Sequence, residues 1–160
     1  MRVALLLVFA IWWGGFTFYA SIVVPVGSET LGSSRTQGFI TQEVTHWLNI
    51  AAALTIFLLA MDLWLNRGSR KTRNLLLEVA LAIGLSLCLV TLAFLHPQLD
   101  ELISVSGETI SDEAKFYRIH RIYLWVSTVQ WVIGAVWMAS FLMGFRPQNE
   151  ILKGNRLNDE

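Results

Sequence analysis

The sequence predicts an all-α membrane protein, a four-transmembrane-helix bundle in up-down order. Three observations predict it. Four apolar runs, at residues 3–26, 45–65, 75–95 and 122–145, fill most of the 160-residue chain. Each is about twenty residues or more, and a helix rising 1.5 Å per residue needs about that many to cross a hydrocarbon core about 30 Å thick. The charged residues are confined almost entirely to the gaps between the runs. Hydrophobic residues make up 54% of the chain, above the share of about 45–50% in a soluble domain. In water this composition would leave apolar surface with nothing to cover it.

The elements follow in order within a single membrane domain, residues 1–160. The first span is expected over residues 3–26, with Pro25 and Gly27 closing it. Its opening, Arg2 followed by VALLLVFAIWW, has the look of a signal peptide. The run is too long and too aromatic for one, however, and Phe18-Tyr19-Ala20 lacks the small–x–small cleavage pattern, so a retained helix is expected. The stretch GSETLGSSRTQG has turn chemistry and little apolar content and reads as a loop. The second span is placed at 41–65. The short basic turn NRGSRKTRN then makes the second and third helices antiparallel neighbours. The third span, 75–96, is expected to end before Pro97, because proline disfavours helical geometry at the residue preceding it. Leu99, Leu102 and Ile103 predict a short amphipathic piece in the last loop, ahead of SVSGETISDE. The fourth span is placed at 118–145, followed by a tail, 146–160. Short connections favour an up-down-up-down order.

Net charge is zero and says nothing about partners, but its distribution orients the chain. Arg2, Arg67, Arg70, Lys71, Arg73, Arg146, Lys153 and Arg156 fall on one side; Arg35, Lys115, Arg118 and Arg121 fall on the other. The excess follows the positive-inside rule with both termini cytoplasmic. Asp62 and Glu78 lie about one turn inside the cytoplasmic boundary and are expected to reach out to Arg67, Arg70, Lys71 or Arg73. Cys88 is the only cysteine, so no disulfide framework and no thiolate metal site can form within one chain; it reads as a small buried hydrophobe.

In lipid no hydrophobic force draws helices together, so close approach through small residues matters. Ala10 and Gly14, Ala80 and Gly84, and Ala135 and Ala139 are spaced for it, and Gly14, Gly84 and Gly134 are expected to face other helices. Trp47 and Trp64 sit near opposite ends of the second span, as an interfacial belt would place them. Trp12, Trp13 and Trp131 lie deeper. Polar residues form stripes at helical spacing: Gln42, His46, Asn49 and Ala53; His120, Tyr123, Ser127, Gln130 and Gly134; Gly14, Thr17 and Ser21; Gly84, Cys88 and Thr91. Because polar groups in lipid turn inward, the stripes predict one partly polar interior seam.

All three histidines fall at one expected depth, on the outer side. His46 begins the second apolar run, His96 ends the third and His120 precedes the fourth. The candidate cluster is Glu43, His46, Asn49, His120, Arg121, Tyr123 and Gln130, with Arg118 nearby. Glu43, His46 and His120 are expected to meet, and His96 is expected to cap its helix near Pro97. Imidazoles with carboxylates can hold zinc, copper or iron, and two facing histidines can ligate haem. His46, His120 and His96 are therefore the candidate metal ligands. A hydrogen-bonded structural network and an organic ligand site are the other readings. The Glu43–His46 spacing is that of di-iron bundles, which need more carboxylates and a second Glu-x-x-His that this chain lacks.

No glycine-rich phosphate loop, nucleophile elbow or basic aromatic patch is present, so no nucleic-acid partner is expected. The segments WWGGFTFYASIVVPVGSETLG, FITQEVTHWLN, LHPQLD and FYRIHRIYLWVSTVQW resemble the four-span bacterial proteins of domain-of-unknown-function family 4149, which includes the animal transmembrane-protein-205 type. Gly14, Gly15 and the Arg118–Ile119–His120–Arg121 element carry the resemblance, which covers about residues 9–140. It implies a four-span fold in a bacterial cytoplasmic (inner) membrane and no particular reaction. A similar layout occurs in anthrone-oxygenase-like proteins and, more distantly, in copper-resistance D proteins and HemJ-type protoporphyrinogen oxidases. Those bring metal, haem and redox chemistry into view, although the histidines here sit at helix ends. The expected function is a structural or accessory membrane component, with the lipid bilayer as partner, as a homo-oligomer or a subunit of a membrane complex. The alternatives are a metal- or haem-dependent redox enzyme and a small oligomeric transporter.

Overall fold

A computed structural model describes residues 2–32, 34–69, 72–102 and 112–144. The chain is a four-helix membrane bundle. Helix α1 (Arg2–Phe18), one π-helical turn (Tyr19–Val23) and α2 (Val24–Thr30) form the first rod. Helices α3 (Ser34–Asn66), α4 (Thr72–Leu102) and α5 (Glu113–Gly144) form the others, and a 3₁₀ turn, Arg67–Ser69, follows α3. All four rods are long and apolar enough to cross a membrane.

As far as the described residues go, each rod covers its expected span and runs on past it at the same end of the bundle, the end that carries the histidines. The stretch read as the first loop is mostly helix, and the chain turns only around Leu31 and Gly32. There the Leu31 N–H bonds the Gly27 carbonyl at 2.9 Å, and Gly32 takes φ +61°, open to a residue without Cβ. Gly27 does not close the first helix. It lets the second rod come close, because a Cβ there would run into Oε1 of Gln37.

Neither proline ends its helix. Pro25 sits in the first turn of α2, and the π-helical turn precedes it, with the Val24 N–H reaching back five residues to the Tyr19 carbonyl. The wider turn relieves the contact that a proline ring makes with the carbonyl four residues back. Pro97 lies inside α4, where an interior proline costs about 3 kcal/mol. The helix continues because the turn beyond it is held by other rods. Leu99 and Leu102 are buried in a cluster with Leu92, Ile119 and Tyr123, and Asp100 binds groups on α3 and α4. The rest of the expected amphipathic piece, from Ile103, and the tail from Arg146 lie outside the described residues.

Helix α1 packs on α3, α3 on α4 and α4 on α5. Aromatic side chains close the ring between α1 and α5. Phe9 lies 4.8 Å from Trp137, and Trp13 stacks on Trp131 at 5.1 Å between centroids. The main core lies toward the Arg2 end, with Leu5, Phe9, Trp12, Leu59, Leu85, Trp137 and Phe141 buried together. Trp47 and Trp64 both point outward; Trp64 lies in the last turn of α3, as an interfacial belt places it, whereas Trp47 falls near the middle of the longer helix.

The glycine expectation holds in two places of three. A Cβ on Gly134 would meet Trp13 at 3.1 Å and Trp12 at 3.3 Å, and one on Gly84 would meet Ile133 at 3.1 Å. Gly14 faces outward, with nothing within 4 Å of its Cβ position. Ala10 is exposed as well, so tryptophans rather than small residues form the inner face of α1. Gly134→Leu should therefore lower stability by about 1–3 kcal/mol through overpacking, whereas Gly14→Leu should stay within about 0.5 kcal/mol of the parent. Melting midpoints in one detergent test both. A Gly134→Leu protein that melts with the parent would put that face of α5 against lipid.

Candidate functional site

The polar residues gather in four places, one of them a short relay between the first rod and α3, where Nε2 of Gln37 donates to the Tyr19 hydroxyl at 3.3 Å and that hydroxyl donates to Oγ1 of Thr41 at 3.0 Å. The largest group is at the histidine end, between α3, α4 and α5. Because α4 passes through Pro97, His96 and Asp100 stand one turn apart on the same face. The Asp100 carboxylate joins two helices. Its Oδ1 accepts a 2.6 Å hydrogen bond from Nε2 of Gln42 on α3, and its Oδ2 lies 3.8 Å from Nε2 of His96. The His96 ring neighbours His46, at 6.0 Å between centroids, and Tyr123, at 6.3 Å. The buried Tyr123 hydroxyl accepts a hydrogen bond from Nδ2 of Asn49 at 3.0 Å and also bonds the Thr45 side chain.

Of the expected cluster, His46, Asn49 and Tyr123 come together here. The expected meeting of Glu43, His46 and His120 does not form. Glu43 is exposed and accepts a bond from the Trp47 indole on its own helix at 3.2 Å. The His120 ring stacks on Phe116, one turn back on α5, at 5.8 Å. The reason is phase. Ile119 and Tyr123 are the buried positions of that turn, and His120 sits at its edge, half-buried. Arg118 and Arg121 are exposed. Gln130 is buried, two turns below Tyr123 on the same face of α5. His96 takes the place that His120 was expected to fill, lying among the rods rather than capping a helix. Gln42, Thr45 and Asp100 also belong to the group. The His96–Asp100 spacing of four would have shown this, had the helix been carried past Pro97.

The α3 stripe is correspondingly turned by one residue. Gln42, Thr45 and Asn49 are half-buried and lead to the buried Ala52 and Thr55, while His46 and Ala53 are exposed.

The second group clasps α1 to α5 at mid-span. The Trp13 indole donates to the Trp131 carbonyl at 3.1 Å, and the Trp131 indole donates to Oγ1 of Thr17 at 2.8 Å. That hydroxyl in turn donates to the Trp13 carbonyl at 2.7 Å. The third group is at the opposite end. Asp62 is 1% exposed, lies 3.6 Å from Nε of Arg2 and accepts a 2.9 Å bond from Nδ2 of Asn66. Asp62 thus finds a cation on the first helix; the expected partners Arg70 and Lys71 and the Arg73 side chain lie outside the described residues.

Among the described residues, no group of three or more His, Cys, Asp or Glu side chains is placed to hold a metal ion. Compared with protein-family models, curated proteins and solved structures, the chain finds no match.

Interhelical hydrogen bonds in membranes average about 0.6 kcal/mol and reach about 1.7. A double-mutant cycle on Asn49→Leu and Tyr123→Phe should give a coupling in that range. The pair Asn49→Leu and His120→Phe should couple more weakly than the additivity error of about 0.5 kcal/mol. Equal coupling in both cycles would dissolve the distinction drawn between Tyr123 and His120.

Proposed function

We propose that the protein is a non-catalytic membrane component, a structural or accessory subunit whose histidine-end network fixes the register of α3, α4 and α5. One observation carries the reading: the polar side chains of this group bind one another. Gln42 and His96 share Asp100, and Asn49 holds the Tyr123 hydroxyl. A ligand or metal site keeps groups turned toward a guest, whereas here the donors and acceptors are turned toward each other. The partners in this reading are the lipid bilayer and other membrane subunits, its own copies among them.

The membrane is the cytoplasmic (inner) membrane of a bacterium, with both termini inside and the histidine end outside. The excess of Arg and Lys at the opposite end supports the orientation. The resemblance to family 4149 supports the compartment.

Optical spectra and metal analysis of the purified protein, with His46→Gln and His96→Gln variants, test the function. The expected result is no Soret band and no stoichiometric metal. His96→Gln should lose some stability with its Asp100 contact, and exposed His46→Gln should stay within about 0.5 kcal/mol of the parent. A Soret band or bound metal that disappears in either variant, with the fold retained, would put a redox enzyme in place of the scaffold. Orientation is tested separately by cysteines introduced at Ser69 and Ser104 in a Cys88→Ala background. An impermeant reagent added outside should label position 104, and labelling of position 69 instead would invert the topology.

A further inference from the structure

The buried face of α5 carries an unanswered donor. Tyr123, Ser127, Gln130, Gly134 and Trp137 follow one another at steps of four, three, four and three, and all are buried. Residues so spaced share one face of a helix. The face is polar from Tyr123 to Gln130 and apolar beyond Gly134. Gln130 is 4% exposed and Ser127 5% exposed, yet Nε2 of Gln130 has no hydrogen-bond partner among the described residues. A buried amide donor in a membrane interior is costly to leave unpaired.

The surroundings define what can answer it. Toward the Arg2 end the packing is tight: an added Cβ on Gly134 would already crowd Trp13 and Trp12 at 3.1 and 3.3 Å. A guest of several heavy atoms would have to displace those rings. Toward the histidine end the same face leads through Ser127 to the Tyr123 hydroxyl, to Asn49 and to the partly exposed Asp100 pair. Polar groups on one side and close packing on the other fit a small molecule able both to accept and to donate. We propose that the bundle holds ordered water at the Gln130 carboxamide. Continuous with the histidine-end network, this water makes a hydrated seam from that end to mid-membrane, closed below by the rings of Phe9, Trp12 and Trp137.

Trp137 is the internal contrast. Its Nε1 also has no hydrogen-bond partner among the described residues, but it lies inside the aromatic cluster, with Phe9 at 4.8 Å and Phe141 at 5.3 Å. That position stays dry. The proposal goes beyond the scaffold reading and does not depend on it, because a catalytic protein could hold the same seam.

The test is proton NMR of the deuterated, amide-reprotonated wild-type protein in lipid nanodiscs, with signals assigned from Gln130→Met and Trp137→Phe. The expected result is a cross-peak between water and the Gln130 side-chain amide, and none between water and the Trp137 indole. No water cross-peak at Gln130, or cross-peaks there only to lipid chains, would overturn the proposal. Equal water cross-peaks at both positions would overturn the closed seam. The melting midpoint gives a second readout. Gln130→Met keeps the volume and removes the amide, so it should melt below the parent if the amide is answered by water. Melting above the parent would show that the donor had been a buried liability.

Discussion

Closure of the bundle depends on the clasp between Trp13 and Trp131. Lipid tails are as apolar as leucine, so burying Leu59 or Leu85 does not by itself hold one helix to the next. Directional bonds and close ring packing must do that. Helices α1 through α4 are joined in sequence by tight contacts between consecutive rods, and α5 is held on α4. The return from α5 to α1 is made by large side chains. Two indoles stack, each donates a hydrogen bond across the gap, and Thr17 serves as acceptor for one and donor within its own helix. The clasp supplies the directional part of that closure, and the packing of Phe9 on Trp137 supplies the rest.

The aromatic wall explains why the polar seam stops where it does. Phe9, Trp12 and Trp137 fill the half of the bundle toward Arg2 and end the polar face of α5 at Gly134. The candidate site is therefore not an isolated feature at a helix end. It is continuous with the polar face of α5 that runs through Ser127 to Gln130.

Much of this was legible in the sequence. Helix number, order and central spans follow from apolar run length alone, because a bilayer sets a length scale that composition must match. Most of the α5 face was legible too, since Tyr123, Ser127, Gln130 and Gly134 alternate at steps of three and four; His120, read as the first of that stripe, falls at its edge. Two kinds of feature were not. Pro97 and Pro25 read as helix ends by local geometry, and only tertiary contacts at Leu99, Leu102 and Asp100, or a local π-helical turn, carry the helices through. Those contacts involve other rods and leave no local trace. The phase of α3 was the second. His46 drew attention as a reactive side chain, yet Gln42, Thr45 and Asn49 face inward, and on a helix apolar nearly all round, one residue of rotation changes which polar group meets a neighbour.

The pair between Arg2 and Asp62 has a mechanical consequence. Between Arg2 and Glu29 the first rod carries no charge. The bilayer alone gives an uncharged cylinder little reason to prefer one height along its normal, so its contacts with α3 must fix it. Anchoring its first turn to a carboxylate on α3 works as a detent. Together with the Tyr19–Thr41 bond at the other end, it sets the height at which the rod floats and so brings Trp13 level with Trp131 rather than a turn above or below it.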